Sequence, residues 1–152
     1  MKVREAMTRA PATCGPTTSL RLVAQLMTDH DCAAIPITRS GEVVGIVTDR
    51  DIACRAVRAG WNAPEIPAGA VMSAPVIAIG PDEQLEAAID LMKENRIHHL
   101  LVIDPEGRVL GIITQSDLGR RMLNRDFGDL ARAISTQPPA WGGAFDLTRR
   151  DH

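Results

Sequence analysis

Residues 45–52 read GIVTDRDI, and residues 111–118 read GIITQSDL, 66 positions later. This repeat constrains the fold more than any single residue, because each copy is only about 60 residues long and too small to bury a self-sufficient core. Laying residues 7–39 over 72–104 puts Met7, Gly15, Pro16, Leu20, Leu26 and Met27 on Met72, Gly80, Pro81, Leu85, Leu91 and Met92. One extra residue in the second copy, near Pro105, shifts the register. GEVVGIVTDRDI then falls on GRVLGIITQSDL. Identity is sparse at first and dense at the end, which is where the shared constraint lies.

Each copy reads alike. A short apolar segment (ATC; VIAI) precedes Gly-Pro, a turn signal. LRLVAQLMTDH and LEAAIDLMKEN carry apolar residues at helical spacing, with Ser19 and Asp82 available to cap. CAAIPIT and HHLLVID are runs of strand length, followed by turns at RSGEV and DPEGRV and returning strands VVGIVT and VLGIIT. A second helix starts at DRDIACRAVRAG and at QSDLGRRMLNR. The chain therefore divides into a first repeat with a short leading helix (1–60), a Pro- and Gly-punctuated linker (61–69), a second repeat (70–125), and a C-terminal helix with an irregular tail (126–152).

The bulk properties exclude several classes. A net charge of −2 offers no broad positive face to nucleic acid, and no Tyr with two Trp and two Phe leaves no stacking platform for single strands. No apolar run is long enough to cross a bilayer, and MKVREAMTRAP has no apolar signal core. A cytoplasmic protein is expected. Cys14, Cys32 and Cys54 lack CxxC spacing and read as small buried apolar residues, not zinc ligands or disulfide partners. Met7, Met27, Met72 and Met92 read as filler between helices.

Thr48 with Asp51, and Thr114 with Asp117, admit two uses. Thr followed three residues later by an acid makes a capping box at a helix start, with the N-cap worth about 1 kcal/mol. The same geometry serves an anionic or hydroxylated ligand, because a helix N-terminus presents N–H groups and an ionised Asp accepts from a pair of hydroxyls. Gly45 and Gly111 let another backbone or a ligand approach the preceding strand.

Two copies ending in G-h-h-T-x-x-D, with h apolar, resemble a tandem pair of CBS repeats, also called a Bateman module. The match spans roughly residues 3–125. HDCAAIPI with GIVTDRDI further resembles the small stand-alone bacterial type, including the hypoxic-response kind. The resemblance implies an α/β (α+β) fold of two βαββα repeats packed as a pseudo-twofold pair. It implies that Asp51 and Asp117 bind ribose and that Thr48 and Thr114 contact ribose or phosphate. In nucleotide-binding members a basic residue at the place of His98 reaches phosphate; the first copy has Ala33 there but carries Arg50 where the second has Ser116. Phosphate affinity through His98 should rise as pH falls. Aliphatic walls for adenine would come from Ala12, Ile35 and Pro36, and from Ile77, Ala78 and Leu100.

No GxSxG, P-loop, dinucleotide fingerprint or HExxH motif is present, so no catalytic residue and no required cofactor or metal is expected. The expected function is a non-enzymatic sensor that binds AMP, ADP, ATP, an NAD-type ligand or S-adenosylmethionine and signals to a separate protein partner. A homodimer through helix faces such as Ile52, Ala53, Val57, Ala87, Ile89 and Met122 is the default assembly. The alternative is a ligand-free dimeric adaptor in which T-x-x-D only caps helices.

Overall fold

The computed structural model describes residues 1–60, 62–122 and 124–135, with the side chains of 63 and 124–127 left aside. Helix α1 (Val3–Ala6) and strand β1 (Thr8–Arg9) lead the chain. The first repeat then has helix α2 (Leu20–Asp29), strands β2 (Ala34–Arg39) and β3 (Glu42–Thr48), and a helix that begins as α3 (Asp49–Asp51) and continues as a π-helical stretch over Ile52–Val57. Two short 3₁₀ turns, Ala63–Glu65 and Ala68–Ala70, lie between the repeats. The second repeat follows with β4 (Ala78–Ile79), α4 (Leu85–Asn95), β5 (His99–Ile103), β6 (Val109–Thr114) and α5 (Gln115–Gly119); α6 (Asn124–Ser135) closes the described chain. This is the α+β arrangement of two matching units that the repeat implied. The Trp141 and Phe145 tail lies outside the described residues.

The helices start where their sequences cap them, with one difference. The Leu22 N–H donates to Ser19 Oγ at 3.4 Å, so Ser19 caps α2. Asp82 instead pairs with Arg4 Nη2 at 2.5 Å and with Lys2 Nζ at 3.4 Å, and the N-cap of α4 is Gln84, which makes no side-chain cap. Asp82 thus ties the leading segment to the second repeat. The hairpin turns of both repeats place glycines, Gly41 and Gly107, at φ near +82° and +83°, a conformation other residues adopt only with strain.

The segment that precedes each repeat packs on the other repeat. Strand β1 runs antiparallel to β6, with Thr8 opposite Ile112, while Ser73 lies antiparallel to Ile46 of β3. The Val3 N–H donates to the Glu83 carbonyl at 2.9 Å, and its counterpart Ala68 N–H donates to the Thr18 carbonyl at 2.7 Å. Val3 and Ala6 are buried among Leu85, Ala88, Met92, Leu100 and Ile113 of the second repeat. Ala68 and Val71 are buried among Leu20, Val23, Ile35 and Ile37 of the first. The exchange accounts for the repeated glycines and methionines. A side chain at Gly45 would meet Met72, and one at Gly111 would meet Met7 and the Thr8 carbonyl. Met7 and Met72 therefore sit over the sheets instead of filling space between helices.

Alternation along the strands separates two kinds of buried face. Ile35, Ile37 and Val47, like Leu100, Val102 and Ile113, point into the core of their own repeat. Ala34, Leu101 and Ile112 point the other way and form a third cluster with Val43, Ile46, Val76, Ala78 and Ile103, which joins the repeats sheet to sheet. Helix α6 lies on α4 and α5, with Leu130 and Ile134 buried in the second core.

Candidate functional site: the paired T-x-x-D boxes

Each returning strand ends in a threonine that starts a helix, and both boxes close in the same way. In the first, the Asp51 N–H donates to Thr48 Oγ1 at 3.1 Å and the Thr48 N–H donates to Asp51 Oδ2 at 2.9 Å. In the second, the Asp117 N–H donates to Thr114 Oγ1 at 3.2 Å; the Thr114 N–H and hydroxyl both donate to Asp117 Oδ2 at 2.9 Å. Asp51 and Asp117 are the buried charged residues of the described chain, each 8% exposed. Burying a carboxylate is costly unless it is paired, and here each has both hydrogen bonds and a cation.

The cations differ. Arg55 Nε lies 3.7 Å from Asp51 Oδ1, and Arg120 Nη2 lies 2.7 Å from Asp117 Oδ1. Arg55 also donates through Nη1 to the carbonyls of Val71 and Met72, at 3.0 Å each, and the Ser73 hydroxyl donates to Asp51 Oδ1 at 3.3 Å. Arg120 is 74% exposed. Neither Arg55, Ser73 nor Arg120 stood out in the sequence as a site residue. The repeat offset pairs Arg55 with Arg121, which hides the role Arg120 takes.

His98 and His99 separate by strand parity. His98 is exposed and its Nδ1 lies 2.7 Å from Gln115 Oε1, while its carbonyl accepts from the Gln115 N–H at 3.0 Å, so it stands at the mouth of the second box. His99 shares the inter-repeat face with Leu101 and Ile103, at the place held by Ala34 in the first copy, and pairs across the ladder with Thr114. Burial depresses its pKa from the ordinary value, the neighbouring His98 adds to this, and Asp49, Asp117 and Asp51 oppose it. One imidazole thus feels carboxylates of both boxes. Its period-two spacing with Leu101 and Ile103 was the available signal.

A histidine kept neutral by folding carries a pH signature. The unfolded chain takes up a proton near pH 6.5, whereas the folded chain does so only at lower pH, so the unfolded state binds more protons in between. The contribution of His99 should be complete above pH 6.5 and be lost as pH falls through 6.5 toward the folded pKa. Urea midpoints between pH 5 and 8 should show this fall, and His99→Gln should flatten it; an unchanged slope in the variant would remove His99 as the cause.

The remaining residues fall into place less evenly. Arg50 is exposed on α3, between Thr48 and Asp51. Ile35 and Leu100 are fully buried inside the repeat cores and present no surface, and Pro36 is buried too. Ala12, Ile77 and Ala78 are half-buried. The three thiols are free and half-buried; burial pushes the Cys14 and Cys32 thiols up, against thiolate chemistry. Beside α2, Leu20, Ala24, Thr28, Ile52 and Pro64 line a groove of about 380 Å³. Leu22 and Val57 are also exposed, 55% and 64%. Ala87, Ile89 and Met122 pack against the second core instead. No described helix is long and apolar enough to cross a membrane.

Comparison with known proteins gives this geometry its context. The family model described as the CBS domain matches residues 3–57 and again 68–124. The chain is 34% identical over 136 residues to the CBS domain-containing protein YhcV of Bacillus subtilis, covering 89% of this chain and 96% of that one. It is 28% identical to hypoxic response protein 1 of Mycobacterium tuberculosis over 127 residues, 82% of this chain and 88% of that one. Among solved structures, the CBS domain pair of protein MJ0100, in complex with 5′-methylthioadenosine and S-adenosyl-L-methionine, superposes with a TM-score of 0.73 at 27% identity, covering 80% of this chain and 94% of that chain.

Proposed function

The chain belongs to the CBS-domain family, and from that premise we propose that it is a non-enzymatic sensor which takes an adenosine-containing ligand beside its T-x-x-D boxes and passes the change to a separate partner. The observation that carries this reading is the pair of buried carboxylates, one per repeat, each fixed at a helix start. A fixed, ionised carboxylate is suited to a ribose diol, since it accepts from both hydroxyls. The ligands of the MJ0100 pair both contain adenosine, which supports the same class here.

In this reading Asp51 and Asp117 hold ribose, and Thr48 and Thr114 keep them in place. Arg50 serves phosphate in the first site and His98 in the second. Ala12, Ile77 and Ala78 supply apolar wall. The chain acts as a cytoplasmic homodimer that binds neither nucleic acid nor membrane, and the groove beside Ile52 is the face for the second copy. Ligand shifts the packing of the repeats only if it binds two arrangements unequally.

Thermal melts with AMP, ADP, ATP, NADH and S-adenosylmethionine test the proposal. A true ligand at 100 times its dissociation constant adds about 2.7 kcal/mol. Asp117→Ala should abolish the part of the shift owed to the second site while the fold is retained. A flat panel at millimolar ligand would leave the second reading, a dimeric adaptor. The favouring observation for that reading is that both capping boxes are complete by themselves.

A further inference from the structure

We propose that Arg55 and Ser73 are positioning residues that withhold Asp51, so that ligand fills the Asp117 site first and enters the Asp51 site only by loosening residues 71–73. The inference rests on the reading that these carboxylates take the ligand's ribose. Asp51 Oδ2 is occupied by the Thr48 N–H, and Oδ1 receives the Ser73 hydroxyl and faces Arg55. A carboxylate oxygen offers about two acceptor positions, so Oδ1 has little left for a diol. The same Arg55 guanidinium bonds both carbonyls of Val71 and Met72, and Ser73 exchanges N–H···O=C bonds with Ile46 at 2.8 and 3.1 Å. Carboxylate, arginine and crossing segment form one connected latch.

The second box keeps the threonine bonds on Oδ2 but differs in its cation and in its crossing segment. Its cation comes three residues after the aspartate, where the first copy has Cys54, and it is largely in solvent. The Asp117 carboxylate is buried but its arginine stands mostly in solvent, so the guanidinium can leave Oδ1 once a ligand hydroxyl takes its place. Thr8, which crosses β6 as Ser73 crosses β3, is exposed. The helix following Asp51 winds as a π-helix over Ile52–Val57, whereas Asp117 sits inside the α-helical α5. A ligand hydroxyl can therefore replace Arg120 at Asp117 Oδ1 without disturbing the backbone, and the released guanidinium remains near a ligand phosphate.

Calorimetric titration with AMP and with S-adenosylmethionine, combined with amide exchange at Ile46 and Ser73, tests the latch. The wild type should bind one equivalent at least tenfold more tightly than the second, and only the second should speed exchange at Ser73. Ser73→Ala and Arg55→Gln should speed that exchange about tenfold without ligand and narrow the gap between the two binding steps, while Ser73→Thr restores both. Two equal sites in the wild type, or a gap unchanged in Ser73→Ala, overturn the latch. Silence with both probes overturns the ligand reading instead; the ligand-free exchange then decides the latch, faster in Arg55→Gln supporting it and unchanged overturning it.

Discussion

Leu101→Ala should cost about 2–5 kcal/mol and should also uncouple the two repeats. The lower bound is the transfer free energy of the deleted atoms, and the upper bound includes a cavity that the surroundings fail to fill. Leu101 is 1% exposed, opposite Ile112 in the antiparallel ladder and beside Ala78 in the parallel one, and it packs in the cluster with Ala34. Leu100, one residue earlier, is equally buried but points into the second core. Leu100→Ala should therefore lose similar stability while the ligand-induced thermal shift survives, whereas Leu101→Ala should lose that shift at both boxes. A urea midpoint lower by about 1–2 M in each variant, with ligand response lost only in Leu101→Ala, is the expected pattern. Retention of the full shift in Leu101→Ala would show that the seam does not carry the response.

Gly111→Ala is expected to destabilise by about 1–3 kcal/mol, the usual range for overpacking. An added Cβ would lie 2.8 Å from the Thr8 carbonyl oxygen, a backbone atom that cannot move without lifting β1 from β6. Gly45→Ala meets chiefly the side chain of Met72, which has rotamers to spare, so its cost should be smaller. For a chain of this size the thermal midpoint should drop by about 2–10 °C in Gly111→Ala and by less in Gly45→Ala. Equal drops would mean that the Thr8 backbone yields as easily as a methionine side chain.

The repeat, the hairpins with their flanking helices and both capping boxes were legible because they are local: GEVVGIVTDRDI and GRVLGIITQSDL contain their own turns, strands and caps. The leading strand expected at ATC, by contrast, is only a bridge from Cys14 to Ile37, and the strand Thr8–Arg9 pairs with the other repeat. What was not legible depends on residues far apart in sequence. Ser73 reaches Asp51 and Arg55 reaches the Val71 and Met72 carbonyls only because residues 71–73, at the start of the second repeat, cross β3. No periodicity in AVMSAP, residues 70–75, announces that crossing. Likewise, Ile35 and Leu100 were readable as apolar but not as inward-facing within their own repeat, which takes strand parity together with a partner sheet. His98 drew attention as the basic residue with a family role, while the neighbouring His99, on the face between the repeats, is the one whose pKa burial lowers and carboxylates of both repeats partly restore.

The crossed leading segments make duplication a condition of the fold. A chain carrying one such repeat with its own leader could not place that leader on itself; it would have to give it to a second molecule and receive one in return, a reciprocal swap. Joining two copies head to tail turns that swap between molecules into an embrace within one. The seam in space consequently does not coincide with the seam in sequence: residues 1–9 belong by packing to the later half, and residues 66–73 to the earlier. Neither half is a bead that can be cut away, and whatever moves one repeat pulls directly on the backbone of the other.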